Sequence, residues 1–235
     1  MRLLAILLFN AIVGATVAGT PDTSVSRPSG MAAKADGTAV IEKFLARPVV
    51  PTQYRAMRRL EATGSGQRGW LDAQTAFTPA AGMQYEVMAE GGSGLIRSRI
   101  LRSLLEQEKV LIATGGADRV AIDRSNYGFT PGGVTPDGHV QVTLLPLRKH
   151  RALIAGTMLL APDDGELVRV EGRLAKNPSF WLKKVDVVRS YARINGVLVP
   201  LSLQSTAQVR LLGGSSLRMT YHYTEIDNRA VSASD

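Results

Sequence analysis

The sequence predicts a mainly β, α+β domain: a large curled antiparallel sheet, a barrel or half-barrel, with a helix as plug or lid. Three observations predict it. From Lys183 to Ile226 the chain reads as three long antiparallel strands. Residue character alternates there with period two: Leu217, Met219, Tyr221 and Tyr223 interleave with Arg218, Thr220, His222 and Thr224. That pattern gives one apolar and one wet face. Turn signals recur upstream at intervals suited to strands. Only one principal amphipathic helix interrupts them, and a long sheet with one apolar face must curl to cover that face.

The elements follow in order. Met1-Arg2 and the apolar run Leu3–Ala18, with small residues at Thr16 and Ala18, fit a cleaved export leader. An uncleaved anchor is the alternative, although the run is short for a span. Residues 19–37 read as a disordered linker of Pro, Ser, Thr, Gly and Ala. Thr38 is placed to cap a short helix, Ala39–Ala46, that ends before Pro48. Strands are expected at Tyr54–Ala62, Trp70–Phe77 and Tyr85–Ala89, the first two joined by the loop Thr63–Gly69. The helix is expected over Arg97–Lys109, with Ile100, Leu101, Leu104 and Leu105 as its apolar stripe.

Further strands are expected at Val120–Phe129, His139–Leu147, Ala152–Ala161 and Glu166–Ala175. Asp137-Gly138 and Asp164-Gly165 supply turns between them. Asn195-Gly196 suits a type I′ turn, Gly213-Gly214 the next one, and Pro200 marks an edge or a bulge. The tail from Asp227 reads as loose, with the domain spanning 38–228 and the tail proper 229–235.

Composition narrows the function classes. The chain is 45% hydrophobic and 20% charged, enough apolar material for one large core. Its formal charge is +8. In an exported protein that balance favours anionic head groups or an acidic partner over nucleic acid. The absence of cysteine excludes disulfides, thiolate metal sites and a lipid-modified N-terminal Cys.

No catalytic motif carries its required context. Gly64–Gly69 matches G-x-G-x-x-G, yet an alternating strand follows it where a dinucleotide site needs a helix. Gly91-Gly92-Ser93-Gly94-Leu95 lacks the last Gly of a nucleophile elbow. His222 and Glu225 lie three apart on one strand and point to opposite faces. No enzyme activity, cofactor or metal site is therefore expected.

Several local phrases resemble LolA-like proteins. They are Gly69-Trp70-Leu71; Tyr85-Glu86-Val87 with Glu90-Gly91-Gly92-Ser93; Arg173-Leu174-Ala175-Lys176 with Pro178-Ser179-Phe180-Trp181; and Tyr221-His222-Tyr223 with Ile226. The resemblance covers roughly residues 38 to 228 and extends to the LolB-like receptors and the RseB-type stress-sensor domain. It implies an unclosed half-barrel with helices over its mouth, a periplasmic location and an acyl chain held in the hydrophobic interior without a cofactor. It implies a lipid or acylated lipoprotein as partner, transient membrane contact and a monomer. The absence of Cys departs from the lipid-anchored receptor branch.

On that reading the cavity is lined by Leu71, Phe77, Tyr85, Val87, Ile100, Leu101, Leu104, Leu105, Met219, Tyr221 and Tyr223. Arg148, Lys149 and Arg151 would touch head groups or a partner. Each set has a plainer alternative: packed core for the first, a solvated loop for the second. Two rival functions stay open. One is a protein-interaction or envelope-stress sensor module with a filled core, and the other is an unrecognised hydrolase.

Overall fold

The structure, a computed structural model, describes residues 36–46, 51–116, 118–177, 182–209 and 213–232. The expected leader, almost all of the linker, Pro48 and the phrase Pro178–Trp181 lie outside these residues.

The strands are β1 Tyr54–Gly64, β2 Gln67–Thr78, β3 Gly82–Gly92, β4 Tyr127–Val134, β5 Val140–Pro146 and β6 Ile154–Leu160. They continue as β7 Leu167–Leu174, β8 Leu182–Ile194, β9 Val197–Val209, β10 Gly213–Ile226 and the short β11 Arg229–Ala230. All pair antiparallel in one 11-stranded sheet of order β3-β2-β1-β10-β9-β8-β7-β6-β5-β4, with β11 on β10. β3 and β4 do not pair, so the sheet is unclosed. The architecture is the mainly β half-barrel with helices over its concave face.

Period-two burial selects that face. In β1, Ala56, Arg58, Leu60 and Ala62 are buried, and the residues between them are not. In β5 the buried set is Val140, Val142 and Leu144. Helix α1, Gly37–Ala46, buries Val40, Ile41 and Phe44 and rests on β4 and β5. Phe44 meets Phe129 with ring centroids 6.5 Å apart. A Cβ at Gly165 would lie 2.8 Å from the Phe44 nitrogen, so the β6–β7 turn needs glycine for α1 to sit there.

The second cover is α2 Gly94–Ile96, a π-helical turn Arg97–Leu101 and α3 Arg102–Ala113, running without a break. Ser93 caps its start by accepting from the Ile96 nitrogen. Ile96, Leu101, Leu104 and Leu105 are fully buried against β1, β2 and β3. Both covers and the sheet share one apolar core.

Five expectations need correction. The first hairpin loop is only Ser65-Gly66, both at positive φ, so β1 and β2 run further than expected. The Val120–Phe129 strand does not begin until Tyr127; a 3₁₀ turn at Asp118–Val120 and an Asp123-centred turn precede it. Asp123 accepts from the Ser125 and Asn126 backbone, which bends the chain out of an extended path. Thr38 is not the cap of α1, because the helix starts at Gly37 with the Asp36 carbonyl accepting from Val40. Gly213-Gly214 lies in strand, paired with Val209 and Gln208, and not in the turn.

The start of the expected tail, Asp227–Ala230, is also held in place. Asp227 Oδ1 accepts from the Thr52 and Gln53 nitrogens and from Thr52 Oγ1, and β11 closes back on β10. The other turn signals hold. Asn195 and Gly196 both have positive φ, and the register opposite Pro200 shifts between Ser190 and Tyr191, as a bulge requires.

Candidate functional site: the covered concave face

The floor of the half-barrel under α3 is mostly apolar and carries one buried charged pair. Arg58 projects from β1 in phase with Ala56 and Leu60, and Glu108 projects from α3 in phase with Leu101, Leu104 and Leu105. Their side chains are each 2% exposed. Arg58 Nη1 donates to Glu108 Oε2 at 2.7 Å, and Nη2 donates to Oε1 at 3.1 Å. Nη2 also donates to the Tyr54 hydroxyl at 2.7 Å. Burial alone would lower the Arg58 pKa, but the Glu108 carboxylate outweighs it and raises it well above the ordinary value. Arg58 is thus a fixed cation, held by the helix that covers it.

An aromatic wall surrounds this pair. The Arg58 guanidinium lies 4.7 Å from the Tyr221 ring centre and 5.8 Å from that of Tyr54. Tyr54 stacks on Phe77 at 5.9 Å and meets Tyr223 edge-on at 5.8 Å. Desolvation pushes Tyr54 up to about 12 and raises Tyr221 and Tyr223 well above the usual phenol value. These phenols are neutral hydrogen-bonding groups, not bases. Further along the concave face β8 contributes buried Arg189 and Tyr191, and the Tyr191 hydroxyl has no hydrogen-bond partner.

The rim ties the cover to the edge strand. Glu90 on β3 accepts from Arg97 at 2.5 Å and from Arg102 at 2.8 Å. The Tyr85 hydroxyl donates to Glu106 at 3.1 Å. The helix is therefore held at three places: Glu108 at the floor, and Glu90 and Glu106 at the edge.

The eleven expected lining residues all belong to the one apolar core shared by the sheet and both covers. Leu71, Leu101, Leu104, Leu105, Met219 and Tyr221 are buried within it. Phe77, Tyr85, Val87, Ile100 and Tyr223 pack against it, partly exposed. Arg148, Lys149 and Arg151 are exposed in the β5–β6 loop and are not part of this core. Sequence reasoning missed Arg58, Glu108 and Tyr54. A signal was present: Arg58 and Glu108 are opposite charges at apolar phases of their own elements, so each needs a buried partner.

The outer face carries a separate trough of about 750 Å³ across β2, β1, β10 and β9. Trp70 and Arg68 border it with Glu61, Gln204 and Arg218. Arg59 stacks on Trp70 at 3.9 Å and pairs with Asp72 at 2.8 Å. Among the described residues no group of three His, Asp or Glu is arranged to hold a metal ion.

No family model matches the chain, and no curated protein matches it. Two solved structures are similar to it. One is a DUF1329 family protein from Desulfovibrio piger, at 9% identity and TM-score 0.39, covering 81% of this chain and 91% of that one. The other is a LolA superfamily protein from Nitrosomonas europaea, at 10% identity and TM-score 0.36, covering 84% of this chain and 96% of that one. Both scores are low, and the half-barrel stands on the strand order and the placement of its helical cover.

Proposed function

We propose that this protein is an exported, LolA-like binder of a lipid or lipoprotein acyl chain, held in the half-barrel under the Gly94–Ala113 cover. The observation that carries the reading is the Arg58–Glu108 pair. Burying two charges is a poor way to stabilise a core, since apolar residues of the same volume do as well or better. It is a good way to hold a helix at one place while leaving an alternative in which both groups reach water. The π-helical turn Arg97–Leu101 supports this, because such turns insert a residue into a helix and are frequent at functional sites.

An acyl chain entering beneath α3 would replace the helix stripe Leu101, Leu104 and Leu105 against Leu71, Phe77 and Met219. Binding would draw on apolar area removed from water, at about 25 cal/mol per Å² before ordering costs. Native mass spectrometry of protein purified gently from its source, before and after organic extraction, tests the reading. An extractable lipid or acyl-peptide mass is expected. A bare mass that stays bare after incubation with lipids and acylated peptides overturns it.

The second reading is a protein-interaction or envelope-stress sensor module of the same fold with no carried ligand. What favours it is the near-complete burial of Leu71, Leu101, Leu104, Leu105 and Met219, each 0% exposed, as filled core would be. The bare mass in the same experiment is its expected outcome.

A further inference from the structure

A second feature lies at the far end of the helical cover. Leu145 and Leu147 are 63% and 59% exposed, the two most exposed large apolar side chains among the described residues. Leu145 ends the outer-face phase of β5, which also carries exposed Gln141 and Thr143. The Leu147 nitrogen donates to the Asn126 carbonyl. The two leucines thus flank Pro146, where β5 ends and the chain bends.

Cations gather directly beside them. Arg148, Lys149 and Arg151 follow in sequence, all exposed. Arg148 donates to the Arg119 carbonyl, which brings the exposed Arg119 of the turn after α3 to the loop. Exposed Lys176, just past β7, joins them: desolvation lowers the His150 pKa most, and Arg148, Arg151, Lys176 and Arg119 lower it further. The loop is built rather than loose. His150 Nδ1 accepts from the Ala152 nitrogen at 3.2 Å, and the Leu153 nitrogen donates to the His150 carbonyl. Two carboxylates, Asp123 and Glu42, are engaged by other groups: Asp123 accepts from Ser125 and Asn126, and Glu42 pairs with Arg124.

We infer that the Leu145–Arg151 segment, with Arg119 and Lys176 beside it, is a docking surface for an anionic lipid bilayer. The leucines enter the acyl boundary and the cations take head-group phosphates. Exposed aliphatic side chains flanked by several cations suit a fluid anionic surface, which takes apolar tips and phosphates together without a shaped complement. This inference stands whether or not the concave face carries a ligand.

The test uses the full chain, whose lack of cysteine makes a single introduced thiol unique. Leu147→Cys carries an environment-sensitive fluorophore, and Val134→Cys, exposed at the other end of β4, is the control. Vesicles are phosphatidylcholine alone or mixed with phosphatidylglycerol. A blue shift at position 147, only with the anionic vesicles and absent at 134, is expected. In sedimentation with those vesicles, each neutralised cation weakens binding about fivefold, so R148Q/K149Q/R151Q loses on the order of a hundredfold. Leu145→Ser and Leu147→Ser each cost about tenfold. K149Q/R151Q keeps the Arg148 hydrogen bond and still loses on the order of twentyfold. Equal shifts at both labels, or sedimentation unmoved by the loop variants, would overturn the inference. So would retention of the loop by an acidic polypeptide column without anionic-vesicle binding, which would point to an acidic protein partner.

Discussion

Arg58 and Arg59 are neighbours in sequence and opposites in environment. The first is sealed under α3 and paired with Glu108, while the second lies on the outer face over Trp70. Their substitutions should therefore differ sharply. Glu108→Gln leaves a buried guanidinium without its counter-charge and should cost about 3–5 kcal/mol in urea denaturation. Arg58→Met with Glu108→Leu should recover most of that loss or exceed it. Arg59→Gln removes a partly exposed stack and should cost under about 1 kcal/mol, with a shift in Trp70 emission.

The cover should respond to the same pair in ligand exchange. If an acyl chain enters beneath α3, a fluorescent fatty-acid probe should load several-fold faster into Glu108→Gln than into the unmodified protein, in stopped-flow mixing. Equal rates would mean that the pair does not limit entry.

Two facing glycines set another expectation. A Cβ on Gly156 would lie 2.5 Å from the Gly172 Cα and 2.1 Å from the Glu171 carbonyl oxygen, so β6 and β7 approach too closely for any side chain there. Gly156→Ala or Gly172→Ala should cost about 1–3 kcal/mol or more, as overpacking does. Gly133→Ala, with open space around it, is the matched control and should leave the urea midpoint nearly unchanged.

Alkali should unfold the protein through its phenols. Desolvation holds Tyr54 and Tyr127 at about 12 against an ordinary 10.0. The unfolded chain therefore releases these protons at lower pH than the folded one. Stability is full below about pH 10 and falls as pH rises to about 12, by roughly 3 kcal/mol for each phenol. Tyr54→Phe lowers stability at neutral pH by removing a partner of Arg58. It should also shrink the difference between urea midpoints measured at about pH 9 and about pH 11.

Much of the fold was legible because period-two burial is written directly into strands such as β5 and β10. The inserted helix was legible from its leucine stripe. What failed to read depends on single hydrogen bonds. Asp123 folds the stretch before Tyr127 into turns, and Asp227 holds a tail whose composition resembles a loose end. The polar centre of the concave face was illegible for another reason. Arg58 sits in a run of helix-forming, charged residues, and only the β1–α3 contact reveals which arginine faces inward. Phase found the apolar lining residues but is the same for a cavity wall and for packed core, so their reading as a lining came from the resemblance.

The position of β10 governs when the molecule can exist at all. β1 pairs along its whole length with β10, from Tyr54 opposite Ile226 to Gly64 opposite Ser215, so the first strand made must wait for the last full-length one. Contacts so distant in sequence carry a loop-closure cost and slow folding. A nascent chain halted before Gly213 holds two separate pieces, β1–β3 and β4–β9, with no strand to join them. The domain therefore closes only once β10 has been made.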